Sequence, residues 1–400
     1  MRLPVAAAAV LCLSTPLLAA GCAPRDSDAA ALWRGTLDTL ESGTVVVTNP
    51  ESGIWTDETA WRVVEELRIG TLDDAGPDMF GQIRDLEVDA EGRLWVFESQ
   101  AQELRVFDAA GAHVRTIGRE GGGPGEFAGV MGMTWARDGN LWVVDPSNAR
   151  ISIIDSAGTY VGSHGTIGGW MFVPWPGGVD TQGRFWNFVP DMTATEVRIV
   201  MVAHDDAMNP VDTAQVPEYP GERPTFELRN EDTHLVTGVP FAPSLEWRFD
   251  PRGYMWFMLT GEYSITQLSL EGDTLRRISR EYEPLRVSEE DVDSAMVGLD
   301  WFVRHGGKVD RSRIPDTKPA TDEFLLDDQG NIWVLPVTGR AEEGRVVDIF
   351  DPEGRFLGRI GLPFRLSTNP PPVFREGYLY AVTEDELEVP YVVRARIEKP

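Results

Sequence analysis

Six short units in the chain share one pattern: a glycine, one intervening residue, then an apolar residue followed by an aromatic one. They are Gly92-Arg93-Leu94-Trp95, Gly139-Asn140-Leu141-Trp142, Gly183-Arg184-Phe185-Trp186, Gly253-Tyr254-Met255-Trp256, Gly330-Asn331-Ile332-Trp333 and Gly377-Tyr378-Leu379-Tyr380. The glycines stand 47, 44, 70, 77 and 47 residues apart. Repetition on this scale constrains the fold more than any single residue does. Around each glycine the chain reads strand, tight turn, strand. In the first unit residues 85–89 run into Ala90-Glu91-Gly92, and Leu94-Trp95-Val96-Phe97 follows. Glycine takes positive φ at no steric cost and aspartate bonds its own backbone, so turns such as Asp250-Pro251-Arg252-Gly253 favour hairpins.

A second hairpin follows in most units. Residues 104–107 turn through Asp108-Ala109-Ala110-Gly111, and residues 347–350 turn through Asp351-Pro352-Glu353-Gly354. Two hairpins in succession make a four-stranded antiparallel meander, and the short intervals match the roughly 40–50 residues of a propeller blade. The two long intervals predict insertions, at 218–244 and 284–320. The second strand of each unit is apolar on both faces, as a strand held between neighbouring blades has to be. The last unit supplies three strands, within 372–375, 378–383 and 389–397. The stretch 61–70 reads as a fourth strand without its first three. Joining the two completes a sixth blade and removes an open sheet edge. The sequence thus predicts an all-β, six-bladed β-propeller of four-stranded antiparallel blades over 61–400, with an N-terminal strand closing the last blade. Residues 33–60 read as an N-terminal hairpin or extension near that seam, with Ser42-Gly43 as its turn.

The amino terminus carries an address. Arg2, an apolar run from Leu3 to Ala20 and small residues before Cys22 read as a signal peptide over 1–21. Leu18-Ala19-Ala20-Gly21-Cys22 resembles a bacterial lipobox. The resemblance implies that Cys22 is lipidated, that 22–32 is a tether, and that the membrane is a partner through Cys22. Ala23 after the cysteine implies sorting to the outer membrane, on its periplasmic or surface face. Cys12 leaves with the signal, so no disulfide is available and the fold rests on its core. The net charge of −28 opposes nucleic acid, whose affinity comes from Lys and Arg displacing counterions. It also opposes broad contact with anionic lipid.

Residues 117–165 carry a family likeness. They read Ile117-Gly118-Arg119-Glu120-Gly121-Gly122-Gly123-Pro124-Gly125-Glu126-Phe127, then Asp138-Gly139-Asn140-Leu141-Trp142-Val143-Val144-Asp145, then Asn148-Ala149-Arg150-Ile151. This resembles the NHL repeat within the TolB-like class of six-bladed propellers, and the whole resembles propeller lipoproteins of environmental bacteria. The resemblance implies mainly structural hydrogen bonding for Asp145, Asn148 and Arg150, which also stand as candidate ligand contacts. The basic face of RNA-binding members is missing.

Motifs that carry chemistry are few. The 121–125 glycine run lacks a following Lys-Ser or Lys-Thr and enters a strand, so it is no phosphate cradle. The Asp-x-x-Gly turns lack the order and distal glutamate of a calcium loop. No two of His113, His164, His204, His234 and His305 have metal-ligand spacing. The inner strands offer Asp85, Glu87, Thr134, Glu246, Arg248 and Glu323, some of which face the channel by alternation. In the second insertion Ser288-Glu289-Glu290-Asp291 resembles a capping box. Val292, Ala295, Met296, Leu299, Phe302 and Val303 follow at helical spacing, and Gly306-Gly307 ends the run. This predicts an amphipathic helix over 289–305 with one face on the propeller. Lys308, Arg311, Arg313 and Lys318 then form a local basic patch suited to an anionic ligand.

Three readings follow. The first is a lipid-anchored envelope binding protein for an unknown protein or small anionic ligand, without catalysis or cofactor. Its candidate contacts are Asp145, Asn148, Arg150, Trp170, Arg248, Glu246, Arg311 and Arg313. The second is a hydrolase or lyase, resembling propeller lactonases, with its site at the channel mouth and a Ca²⁺-type ion. The third is a scaffold in an outer-membrane complex, docking near Trp170 and Trp175.

Overall fold

Four of the six repeats are closed by a turn aspartate. In the first blade Asp89 Oδ1 accepts hydrogen bonds from the backbone N–H of Glu91 at 3.0 Å and of Arg93 at 2.8 Å. Its Oδ2 accepts from the indole Nε1 of Trp95, six residues on, at 2.8 Å. The same contact joins Asp180 to Trp186 at 2.8 Å, Asp250 to Trp256 at 3.1 Å and Asp327 to Trp333 at 3.3 Å. All four carboxylates are buried. Three also hold an arginine, namely Arg93, Arg184 and Arg252. The glycine of the turn has a φ of 75° at Gly92 and 86° at Gly183, where a side chain would be strained. The second blade lacks the carboxylate. Ala136 occupies its place, with the same backbone bonds to Asn140 and Gly139. Trp142 Nε1 is consequently buried without a hydrogen-bond partner.

The computed structural model describes residues 32–72, 76–166, 175–191, 198–231, 233–339 and 342–400. The unit Arg34–Pro400 contains six meanders in chain order. The first runs Ile83–Val88, Leu94–Glu98, Glu103–Phe107 and His113–Ile117. The second runs Gly132–Trp135, Leu141–Asp145, Arg150–Ile154 and Tyr160–Gly165. The third runs Gly178–Val179, Phe185–Asp191, Arg198–His204 and Pro210–Gln215. The fourth runs Leu245–Asp250, Tyr254–Leu259, Ser264–Ser269 and Thr274–Arg280, and the fifth Thr321–Leu326, Ile332–Pro336, Val346–Phe350 and Phe356–Gly361. The sixth takes Val373–Arg375, Tyr378–Glu384 and Pro390–Glu398, and its outermost strand is Arg62–Ile69. Val392 pairs with Ile69 and Ile397 with Val63, antiparallel, so the two ends of the fold share one sheet. The chain is an all-β six-bladed propeller, closed as the sequence predicts. Second strands are buried along their whole length in the first, second and fifth blades. Apolar clusters fill the spaces between blades, as where Trp333 and Leu335 meet Leu379 and Val393.

The amino-terminal extension departs from expectation. Thr36–Thr39 and Val45–Asn49 do form a hairpin. It does not sit at the seam: Val45–Asn49 pairs in parallel with Thr274–Arg280, the outermost strand of the fourth blade. Asn49 fixes this placement. Its Nδ2 donates to the carbonyls of Ser279 at 3.0 Å and Gly354 at 2.9 Å, and its Oδ1 accepts from Phe356 N–H at 2.7 Å. The N–H groups of Ile54 and Trp55 then donate to Leu357 O at 2.8 and 2.9 Å. A Cβ at Gly53 would lie 2.4 Å from that oxygen, so only glycine allows the approach. Residues 36–69 therefore run as a strap that pairs with the outer strand of blade four, touches that of blade five and becomes that of blade six.

The two insertions pack on each other. The proline-rich stretch of the first holds a hairpin, Thr225–Arg229 with His234–Gly238. The second holds the expected helix, interrupted at Leu299 into α1 (Glu289–Gly298) and α2 (Asp300–Arg304). The capping box forms between Ser288 and Asp291. At the other end Gly306 N–H donates to Val303 O and Gly307 N–H to Phe302 O, a Schellman pair of bonds. The apolar face meets the other insertion rather than the blades. Leu299 and Phe302 bury against Phe226 and Val239, while α1 buries no residue and Val303 stays exposed. The break at Leu299 turns Phe302 onto the hairpin and leaves α1 lying on the rim.

Two substitutions test the aspartate–indole contact. Asp89→Ala strands two backbone donors and an indole, and should lower unfolding free energy by about 2 kcal/mol or more in denaturant titration. Ala136→Asp supplies Trp142 with the missing acceptor and should raise it by about 1 kcal/mol.

Candidate functional site

The inner strands of neighbouring blades approach one another around the axis: Val373–Arg375 on Ile83–Val88, that strand on Gly132–Trp135, Gly132–Trp135 on Gly178–Val179, and Leu245–Asp250 on Thr321–Leu326. Along such a strand alternate residues share a side. Three residues before the turn position, Leu86, Met133 and Phe324 are buried in the core. The positions four and two before it form two rows along the inner strands. The first row holds Asp85, Glu246 and Glu323. The second holds Glu87, Thr134 and Arg248. A cavity of about 300 Å³ along this second row is lined by Arg248, Leu325, Pro372 and Phe374, from three successive blades.

The two strands that carry Asp85 and Glu323 share a device. Each has an irregularity in register just before the carboxylate, between Ile83 and Asp85 and between Thr321 and Glu323. Such bulges re-aim side chains. Each carboxylate then accepts from the next backbone N–H at 2.9 Å, Leu86 in one case and Phe324 in the other. Asp85 also accepts from Met133 N–H at 2.5 Å, which latches the first blade to the second. Burial pushes the Asp85 carboxyl up to about 7 against these donors, and burial with the adjacent Asp85 raises Glu87 well above the usual range. Both keep part of their surface accessible, as groups on a narrow channel do.

On the opposite side Arg248 Nη2 lies 2.8 Å from Glu323 Oε2. Burial still raises Glu323 to about 7, opposed by Arg248 and assisted by Glu246. Glu246 is itself raised by burial and accepts from Ser244 Oγ at 2.9 Å. Among the described residues no group of three or more His, Cys, Asp or Glu side chains is arranged to hold a metal, and Glu323 is already held by arginine.

The other sequence candidates lie elsewhere. Asp145 accepts from the N–H groups of Ala128 and Gly129, both at 3.1 Å, and from Asn148 Nδ2 at 2.7 Å. Asn148 also donates to Gly121 O at 3.0 Å, and Arg150 to the carbonyls of Gly122, Gly123 and Glu126. The trio staples the glycine-rich loop to the second blade. Arg311 pairs with Asp293 at 3.5 Å, and Arg313 donates to Thr225 O at 2.9 Å over the Phe226 ring. Lys318 reaches Asp291 at 2.7 Å. Trp175, half-buried, donates to Asn187 Oδ1 at 3.0 Å and stacks on Phe185. Trp170 and Cys22 lie outside the described residues.

Sequence reasoning missed a buried centre between blades four and five. Asp348, fully buried, receives Tyr263 Oη at 2.6 Å, Arg280 at 3.1 Å and Arg359 at 2.7 Å. Its signal was a lone acid within Val346-Val347-Asp348-Ile349-Phe350. Burial and Asp348 together push the Tyr263 phenol well above its ordinary value.

A family model described as a 6-bladed beta-propeller matches residues 69–163. No curated protein matches the chain. Among solved structures, a candidate exported protein of Bacteroides fragilis NCTC 9343 is similar at 10% identity and a TM-score of 0.51, over 88% of this chain and 100% of that one. The virginiamycin B lyase of Staphylococcus aureus aligns at 10% identity and 0.45, over 84% and 99%. A gluconolactonase of Xanthomonas campestris aligns at 13% and 0.42, over 84% and 98%. What the likeness to the Bacteroides protein shows is the fold.

The raised carboxyls predict a pH signature. A carboxyl whose folded pKa exceeds its unfolded value binds more protons when folded, so its contribution favours folding at low pH and fades as pH rises toward 7. Glu323→Gln removes this for one group. Between pH 5 and 8 the variant should therefore lose less stability than the wild type in parallel denaturant titrations.

Proposed function

We propose that the protein is an exported, lipid-anchored propeller that takes a small polar molecule at its channel mouth and exchanges a proton with it through Glu323. One observation carries this reading: a carboxyl raised to about 7 stands 2.8 Å from Arg248 on the channel-facing side of an inner strand. Such a group holds comparable amounts of both protonation states at neutral pH, which is what an acid–base catalyst needs. Arg248 would offset negative charge developing on an oxygen beside it. Hydrolysis of a cyclic ester fits these parts. The Glu323 carboxylate takes a proton from water, the water oxygen bonds to the carbonyl carbon, and the ring C–O bond breaks. The proton then passes to the leaving alkoxide, and the product is a hydroxy acid.

A second reading, binding without chemistry, is favoured by the pocket that the two insertions build over the strand that carries Glu323. The envelope address rests on residues 1–21 and the lipobox-like stretch ending in Cys22. Among the described residues no helix is long and apolar enough to cross a membrane. Kinship with NHL-type, TolB-like propellers is supported by the Asp145, Asn148 and Arg150 staple.

Turnover of a panel of five- and six-membered lactones tests the catalytic reading. Glu323→Gln should cut kcat about 100-fold or more, and the wild-type rate should titrate near neutrality. Wild-type protein that hydrolyses none of them overturns it in favour of binding. For the anchor, Cys22→Ser expressed in a diderm bacterium should move the protein from the detergent phase to the aqueous phase on partitioning.

A further inference from the structure

Between α1 and the rim of the fifth blade lies a pocket of about 470 Å³. Its base is a set of hydroxyls on three different segments, Ser244, Thr260 and Thr321. Thr260 Oγ1 accepts from Ser244 N–H at 2.8 Å and lies 3.3 Å from Ser244 Oγ. Thr321 is fully buried, and its Oγ1 has no hydrogen-bond partner. A buried hydroxyl left unpaired costs about 1–3 kcal/mol, so one that lines a pocket marks a place for a polar atom from outside.

The charges around the pocket give the sign of that ligand. Three carboxylates, Asp291, Asp322 and Glu343, face one ammonium, Lys318. Lys318 is taken by Asp291 at 2.7 Å, and Glu343 is held by Arg365 at 3.0 Å. Asp322 is the extra residue of the bulge between Thr321 and Glu323 and makes no ion pair among the described residues. It stays accessible to water, yet the protein packed around it raises its pKa, with Glu343 adding to the effect and Arg365 opposing it. A positive group beside Asp322 would relieve both burial and repulsion.

We infer that this pocket binds a small ligand carrying a primary ammonium next to hydroxyls, of the amino-sugar or amino-alcohol class, with the ammonium on Asp322 and a hydroxyl on Thr321. The site reverses the sign expected from the basic patch, because Arg311, Arg313 and Lys318 are engaged within the insertions. Asp322 adjoins Glu323 and adds to the raising of its carboxyl, and the assignment holds whether or not Glu323 is catalytic.

Calorimetric titration of the purified protein with glucosamine, glucose and glucuronate tests this, alongside thermal unfolding. Glucosamine should bind saturably, glucose more weakly, and glucuronate not at all. Asp322→Asn should weaken glucosamine about tenfold or more. Thr321→Val removes an unpaired buried hydroxyl, so it should weaken glucosamine while leaving the free protein's Tm unchanged or higher. Absent binding of glucosamine, glucuronate bound as tightly, or a Thr321→Val protein of undiminished affinity would each overturn the assignment. Calcium titrated alone should give no saturable heat, and a saturable response abolished by Asp322→Asn would make this a cation site instead.

Discussion

A carboxylate shared between a turn and an indole is the constraint from which the rest of this molecule follows. One oxygen of the turn aspartate fixes two backbone N–H groups and so the shape of the hairpin. The other fixes the tryptophan of the next strand. A buried charge is tolerated because several donors replace the water it loses. The contact couples the local turn to interblade packing, since the same tryptophans fill the gaps between sheets. It also sets register: with the turn aspartate in place, residues four and two before it share one side of the inner strand. The channel's carboxylates and Arg248 are therefore positioned by a structural contact at one end of each strand that carries them.

Closure of the ring solves the edge problem only at the inner and lateral surfaces. The outermost strands remain, and here one continuous segment meets two of them and supplies a third. Residues 36–69 pair with the fourth blade, touch the fifth through backbone bonds to Leu357, and become the outer strand of the sixth. Asn49 and Asp348 act at the same junction from different directions. Asn49 joins the strap to blades four and five, and Asp348 gathers groups from both blades into one buried ion cluster. Removing one partner from such a cluster leaves uncompensated charge inside, so the junction is costly to break.

The glycine spacing, the turn aspartates and the missing fourth strand made the blades and their closure legible, because each is a local signal repeated. The six inner-strand residues Asp85, Glu87, Thr134, Glu246, Arg248 and Glu323 were legible for the same reason. Their chemistry was not. Nothing in the sequence pairs Arg248 with Glu323, since their strands belong to different blades. The bulges that aim Asp85 and Glu323 leave no mark in composition. The hairpin at 36–49 was visible, but its partner was not, because parallel pairing with residues 274–280 carries no local signature. The helix period was read correctly through Leu299, yet period alone could not tell a blade surface from another insertion as the surface beneath it.

Repetition and departure from it thus divide the work. Where the repeat is kept, side chains are consumed by the fold: Asp89, Asp180, Asp250 and Asp327 on turns, and Asp145 with Asn148 and Arg150 on the glycine loop. Where it is broken, polar groups are left with capacity to spare. The bulge ahead of Glu323 places Thr321 and Asp322 at the rim and Glu323 on the axis, three polar residues in succession on a strand whose remaining positions are apolar. The insertions fall on either side of the fourth blade and meet over this same strand. Local rules that fail at one place and hold elsewhere are the physical mark of a site, and in this molecule the failures collect at the mouth between blades four and five.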